Sequence, residues 1–121
     1  RLVINLDMVG RNFFESVANK PSTIAAVGLD ETDGPLAREA AKSAGIELLM
    51  FAPFMLKAIG QDARSDDWVF RDRGVRAVHF STGLNDDYHR PTDTADKIPR
   101  GQLVKVATLV AGLVERVAIS K

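Results

Sequence analysis

Ser65–Gly83 reads SDDWVFRDRGVRAVHFSTG, and the fold turns on it. Its first half opens on a serine and two aspartates and stops at Gly74. Acids favour the electropositive first turn of a helix, and glycine takes the left-handed geometry that ends one. This predicts a helix starting at Ser65 or Asp66. The second half, Val75 to Ser81, is a largely apolar run, as expected of a strand buried between helix layers. A helix feeding such a strand is the repeating unit of an α/β sheet.

The same alternation extends in both directions. RLVINLD (Arg1 to Asp7), STIAAVGL (Ser22 to Leu29) and IELLMF (Ile46 to Phe51) are short apolar runs with β-branched residues and read as strands. Asp33 is placed to cap a helix with Pro35 in its first turn, running through Ala44 to a stop at Gly45. APFMLKAIGQDAR, Ala52 to Arg64, is expected to be a loop. A last helix spans about Arg100 to Ala118, with Leu103, Val106, Ala107, Val110, Leu113, Val114 and Val117 on one face. The predicted fold class is α/β, with helices covering a largely parallel or mixed sheet. Residues 1–121 read as one domain, with no repeat, linker or low-complexity tract.

Composition narrows the function. The 121 residues carry 16 Lys and Arg against 16 Asp and Glu, a net charge of zero. A neutral chain is a poor fit to nucleic acid or an anionic membrane surface, both of which select for excess positive charge. No apolar run approaches the ~20 residues that span a bilayer. There is no cysteine, so disulfides and thiolate metal sites are excluded while the compartment stays open. The chain opens RLVINLDMVG, without an initiator Met and already in a strand pattern, so an upstream portion is expected.

In an α/β sheet, ligands collect beyond the C-terminal ends of the strands. Asp7 follows VINL at such an end, Asp66 opens the helix before the fourth strand, and His89 lies in GLNDDYHRPTDTADKI just after it. Aspartate and histidine are the natural zinc ligands where cysteine is absent. Each has a plainer reading. Asp7 could form a turn and Asp66 cap a helix, Asp93 and Asp96 could cap turns, and His79 could pack within its strand. Tyr88 could be a packing aromatic with a solvated hydroxyl.

Three stretches in this order shift that balance: INLDMVGR (Ile4 to Arg11), Ser65–Gly83, and DYHRPTDTADKI (Asp87 to Ile98). Together they resemble the C-terminal half of the co-catalytic zinc aminopeptidases, the twenty-eighth metallopeptidase family of clan MH, which includes relatives of glutamate carboxypeptidase. The resemblance covers nearly the whole chain and implies a partial phosphorylase/hydrolase-like zinc exopeptidase domain. It implies that Asp7 ligates one zinc and His89 the other, and that Tyr88 hydrogen-bonds the scissile carbonyl oxygen as charge develops. Asp66 matches the acid of the family's Ser-Asp-His, with a supporting or substrate-side role. Asp67 stands where that pattern has histidine, so no role resting on the histidine carries over. Asp93 and Thr94 match a loop-shaping pair, leaving Asp86 and Asp87 as a solvated entrance.

The activity so implied is hydrolysis of peptides at a free N-terminus by metal-activated water, with two zinc ions and a glutamate base. The family's first zinc histidine, its bridging aspartate and its Glu-Glu pair would lie upstream of Asp7. Glu15, Glu31, Glu39, Glu47 and Glu115 include no adjacent pair and no matching context. The chain alone is therefore expected to bind two zincs poorly and to be inactive. An exposed sheet edge would favour self-association, and an exported parent, periplasmic or secreted, fits the family. Two alternatives remain: a non-catalytic binding or assembly homologue, and a glutaminyl cyclase, against which Tyr88 argues because those enzymes tend to have tryptophan there.

Overall fold

Alternation of side chains along each strand decides which face meets which helix. In a computed structural model describing residues 1–58 and 65–120, Ile24, Ala26, Val78 and Phe80 point to one face of a sheet, into a cluster with Ala37, Ala40, Ala41, Val106, Leu109 and Leu113. The strands are β1 (Val3–Leu6), β2 (Thr23–Val27), β3 (Glu47–Phe51) and β4 (Ala77–Ser81), in the order β1-β4-β2-β3. β1 runs parallel to β4 and β2 parallel to β3, but β2 and β4 are antiparallel. The sheet is thus mixed, and the α/β class holds. Helices α1 (Asp33–Ala44) and α4 (Arg100–Ile119) supply the cluster on that face.

The odd-numbered residues Asn5 and His79, register partners across β1 and β4, point to the opposite face. There they meet the short helix α3 (Asp67–Arg71) through the Asp67 side chain. Gly28 ends β2 at φ +101, and a Cβ on it would lie 2.4 Å from the carbonyl oxygen of Ala77. Only glycine lets β2 leave β4 so closely.

Several local expectations change. Pro53–Ala58 forms a helix, α2, where a loop was expected. Proline at the first helical position costs no hydrogen bond there. The rest of that stretch, 59–64, lies outside the described residues. Asp33 does not cap α1. Its carboxylate accepts a 2.6 Å bond from Arg76 Nη1, and Asp30 Oδ1 instead accepts the N–H groups of Thr32 and Asp33. Those backbone donors hold the Asp30 carboxyl below its usual range. Gly45 closes the helix in the left-handed region as predicted.

The long helix matches its predicted span to within a residue, but its face is rotated. Gln102, Val106, Leu109 and Leu113 are buried, while Leu103, Ala107 and Val114 are exposed. The helix is apolar on more than one side, so periodicity does not choose between them. Gln102 does. Its amide accepts the N–H of Ser22 at 2.7 Å and donates to the Thr23 carbonyl at 2.9 Å, which fixes the rotation. Among the described residues no helix is long and apolar enough to cross a membrane.

Candidate metal centre

Because β1 and β4 are parallel neighbours, the loops that leave them share one rim. The Asp7 N–H donates to the Phe80 carbonyl at 3.2 Å, and the Thr82 N–H and hydroxyl both donate to the Met8 carbonyl, at 2.9 and 2.8 Å. Phe14 N–H donates back to the Thr82 carbonyl at 2.8 Å. Asp7 and the start of the His89 loop are thereby stitched together. Met8 at φ 59 and His89 at φ 54 both occupy the left-handed region, which is costly for residues with a side chain.

Below the rim on the α3 side runs a polar chain. Ser65 Oγ donates to Asp7 Oδ2 at 2.6 Å, and Asn5 Nδ2 donates to Ser65 Oγ at 2.7 Å. Asn5 Nδ2 also lies 3.3 Å from Asp67 Oδ1 and 3.3 Å from His79 Nδ1. Asp67 is 1% exposed and is held by Arg71, at 2.9 Å from Nε and 2.7 Å from Nη2. Ser65 thus occupies one oxygen of Asp7. The described residues leave Oδ1 without a partner, and a carboxylate oxygen so presented can take a metal.

Burial alone would raise the Asp67 carboxyl. Its bonds to His79 and Arg71 prevail and lower it to about 2. A folded-state value below the ordinary one means the carboxylate stabilises the fold above that ordinary range and loses its contribution as pH falls towards about 2. The thermal destabilisation caused by Asp67→Asn should therefore be full above pH ~5 and narrow steadily below pH ~4. A difference in melting temperature that is constant from pH 7 to pH 2 would contradict this.

In the loop after β4, Tyr88 and His89 stack with ring centroids 3.8 Å apart and 19° between planes. Both are solvent-exposed. Asp87, just before them, is not the solvated acid expected from the sequence. Arg11 Nη2 reaches its Oδ2 at 2.9 Å and Lys97 Nζ its Oδ1 at 3.0 Å. Bonds from Thr92, Lys97 and Arg11 hold the Asp87 carboxyl far below the usual range. Asp86 is exposed as expected. Asp93 accepts from Arg11 Nη2 at 2.8 Å, and Thr94 bonds Asp96. Burial disfavours the Arg11 charge, but Asp87 and Asp93 outweigh it and raise the guanidinium's pKa.

Asp7 directly follows β1, Tyr88 and His89 lie seven and eight residues beyond β4, and Asp66 is exposed and makes no side-chain cap to α3. His79 lies within its strand, bonded to Asn5 and Asp67 as a structural residue would be. Arg11 and Asn5 carry the geometry without being read as functional in the sequence, and Ser65, read there as a helix start, bonds Asp7. A polar residue inside an apolar strand run, as in VINLD, was the available signal for Asn5. Among the described residues no group of three His, Cys, Asp or Glu is placed to hold a metal ion. One carboxylate and one imidazole suit zinc in kind, although a catalytic zinc takes three protein ligands.

The family model described as Peptidase family M28 matches residues 1–114. No curated protein and no solved structure matches the chain.

Proposed function

The chain belongs to peptidase family M28, in general terms a family of zinc-dependent peptidases, and from this we propose that it forms the C-terminal wall of a two-zinc aminopeptidase centre. What supports the proposal is that Asp7 and the loop carrying the stacked Tyr88–His89 pair follow parallel neighbouring strands, β1 and β4. Asp7 would hold one zinc through the oxygen that Ser65 leaves free, and His89 would hold the other through its imidazole. When bound, the zinc pair would polarise a peptide carbonyl and lower the pKa of a water.

Tyr88 contributes a hydroxyl donor for the carbonyl oxygen as negative charge grows on it, which helps only where the donor is aimed in advance. Stacking on His89 restricts the Tyr88 ring and so pre-aims that donor. Asp66, exposed beside Ser65, would take a supporting or substrate-side role. None of the five glutamates stands in the sequence context of the family's base, and three are paired with cations. Glu15 is engaged by Arg11, Glu47 faces Lys20 and Glu39 faces Arg116. The base and the remaining ligands would come from outside this chain, which alone would be inactive. The substrate class is a peptide with a free N-terminus.

The test is zinc-dependent release of N-terminal residues from peptides by the complete enzyme. Tyr88→Phe should lower kcat by ~10²-fold with zinc content unchanged, the usual cost of one oxyanion donor. Unaltered turnover in Tyr88→Phe would remove the oxyanion role. Turnover by the 121-residue chain on its own would refute the incomplete centre.

A further inference from the structure

We propose that Arg11 is the positioning residue that holds Tyr88 and His89 in register with Asp7. Its catalytic relevance rests on the reading of the site just given, but the clamp itself stands on separate geometry.

Arg11 follows Asp7 by four residues on the same loop, and its side chain is only 5% exposed. One nitrogen, Nη2, donates to both Asp87 and Asp93, while Nη1 donates to Glu15 at 2.7 Å. Asp87 immediately precedes Tyr88, and Asp93 lies four residues beyond His89. A single guanidinium group therefore ties together the two ends of the segment that presents both rings. Inside that closed segment, Arg90 N–H donates to the Asp87 carbonyl at 2.9 Å and Asp93 N–H to the Arg90 carbonyl at 3.1 Å. His89 sits at the turn in the left-handed region, a conformation that persists only where its surroundings enforce it.

The chemistry favours arginine specifically. Glu15, Asp87 and Asp93 converge on one cation, with Lys97 reaching only the far oxygen of Asp87. Without the guanidinium the three acids repel and the segment opens. A planar fork can serve several carboxylates at once, whereas an ammonium on a flexible stem cannot hold them in a fixed geometry. Beside the clamp, Met8, Arg11, Thr82, Asn85 and Asp93 border a cleft of about 140 Å³, so the two loops are not packed solidly there.

Amide hydrogen exchange of this chain tests the clamp without reference to catalysis. In Arg11→Met, the amides of Arg90 and Asp93 should exchange at least ~10-fold faster, while those of Val78 and Phe80 in β4 keep their protection. Arg11→Lys should restore only part of that protection. Asp93→Asn, altering an acid that is half-exposed, should loosen the Asp93 end alone and carries the test if Arg11→Met does not fold. In the complete enzyme, Arg11→Met should lower kcat ~10- to 100-fold, as for other groups that orient a metal ligand, with KM within about twofold. Unchanged exchange in both variants overturns the clamp. Faster exchange with unaltered kcat overturns its positioning role. A complete enzyme without peptidase activity overturns that role together with the reading beneath it, but leaves the exchange result standing.

Discussion

His89→Ala should abolish turnover in the complete enzyme, by more than ~10³-fold, and lower its zinc content. Loss of a residue that merely orients a ligand typically costs 10- to 100-fold, and loss of the ligand itself should exceed that. A catalytic zinc has only three protein ligands, so removing one takes a third of its set. His89 is exposed and its ring neighbour is Tyr88, so the substitution also frees the Tyr88 ring and adds to the loss. Activity and metal content should fall, and the melting temperature measured without metal should fall only slightly, through alanine at the left-handed φ of 54. Full zinc occupancy with a rate within tenfold of the parent would remove His89 from the metal.

Arg71→Ala should have the largest effect on stability. Asp67 is buried against β1 and β4, and Arg71 provides two of its contacts. Removing one partner of a buried pair costs ~3–5 kcal/mol, and Asn5 and His79, which stay on Asp67, hold the loss to the lower end of that range. For a chain of this size that is a fall of roughly 10–20 °C in the melting temperature. The double variant Asp67→Leu/Arg71→Met should recover most of the loss, because it removes both charges at similar volume. A small effect in Arg71→Ala with no recovery in the double variant would mean that the pair contributes little.

The strands and long helices were legible in the sequence because each is a local pattern: apolar β-branched runs, a glycine at Gly45, a 3.6-residue period in α4. The position of Asp7 at a strand end, and that of His89 in the loop that follows the fourth strand, were legible for the same reason. What was not legible depends on partners far apart in the chain. Asn5 and Ser65 are 60 residues apart, and Arg11 and Asp87 are 76 apart. Asp87 looked like one more solvated acid because nothing near it in sequence is the cation that buries it. The rotation of α4 was set by Gln102, a polar residue that an apolar count passes over. Asp30 displaced Asp33 as the cap of α1 because Arg76 claims the nearer carboxylate.

The chain has a single tryptophan, and it is Trp68. It is half-buried in α3, next to Asp67 and three residues from the serine that touches Asp7. α3 is only five residues long, too short to persist as a helix by itself, so it keeps its shape only while docked on the sheet. Intrinsic fluorescence of this protein is consequently a site-specific optical reporter rather than a global average. A red shift in emission that precedes global unfolding would record α3 lifting from β1 and β4, so the support beneath Asp7 can be followed in real time without any attached label.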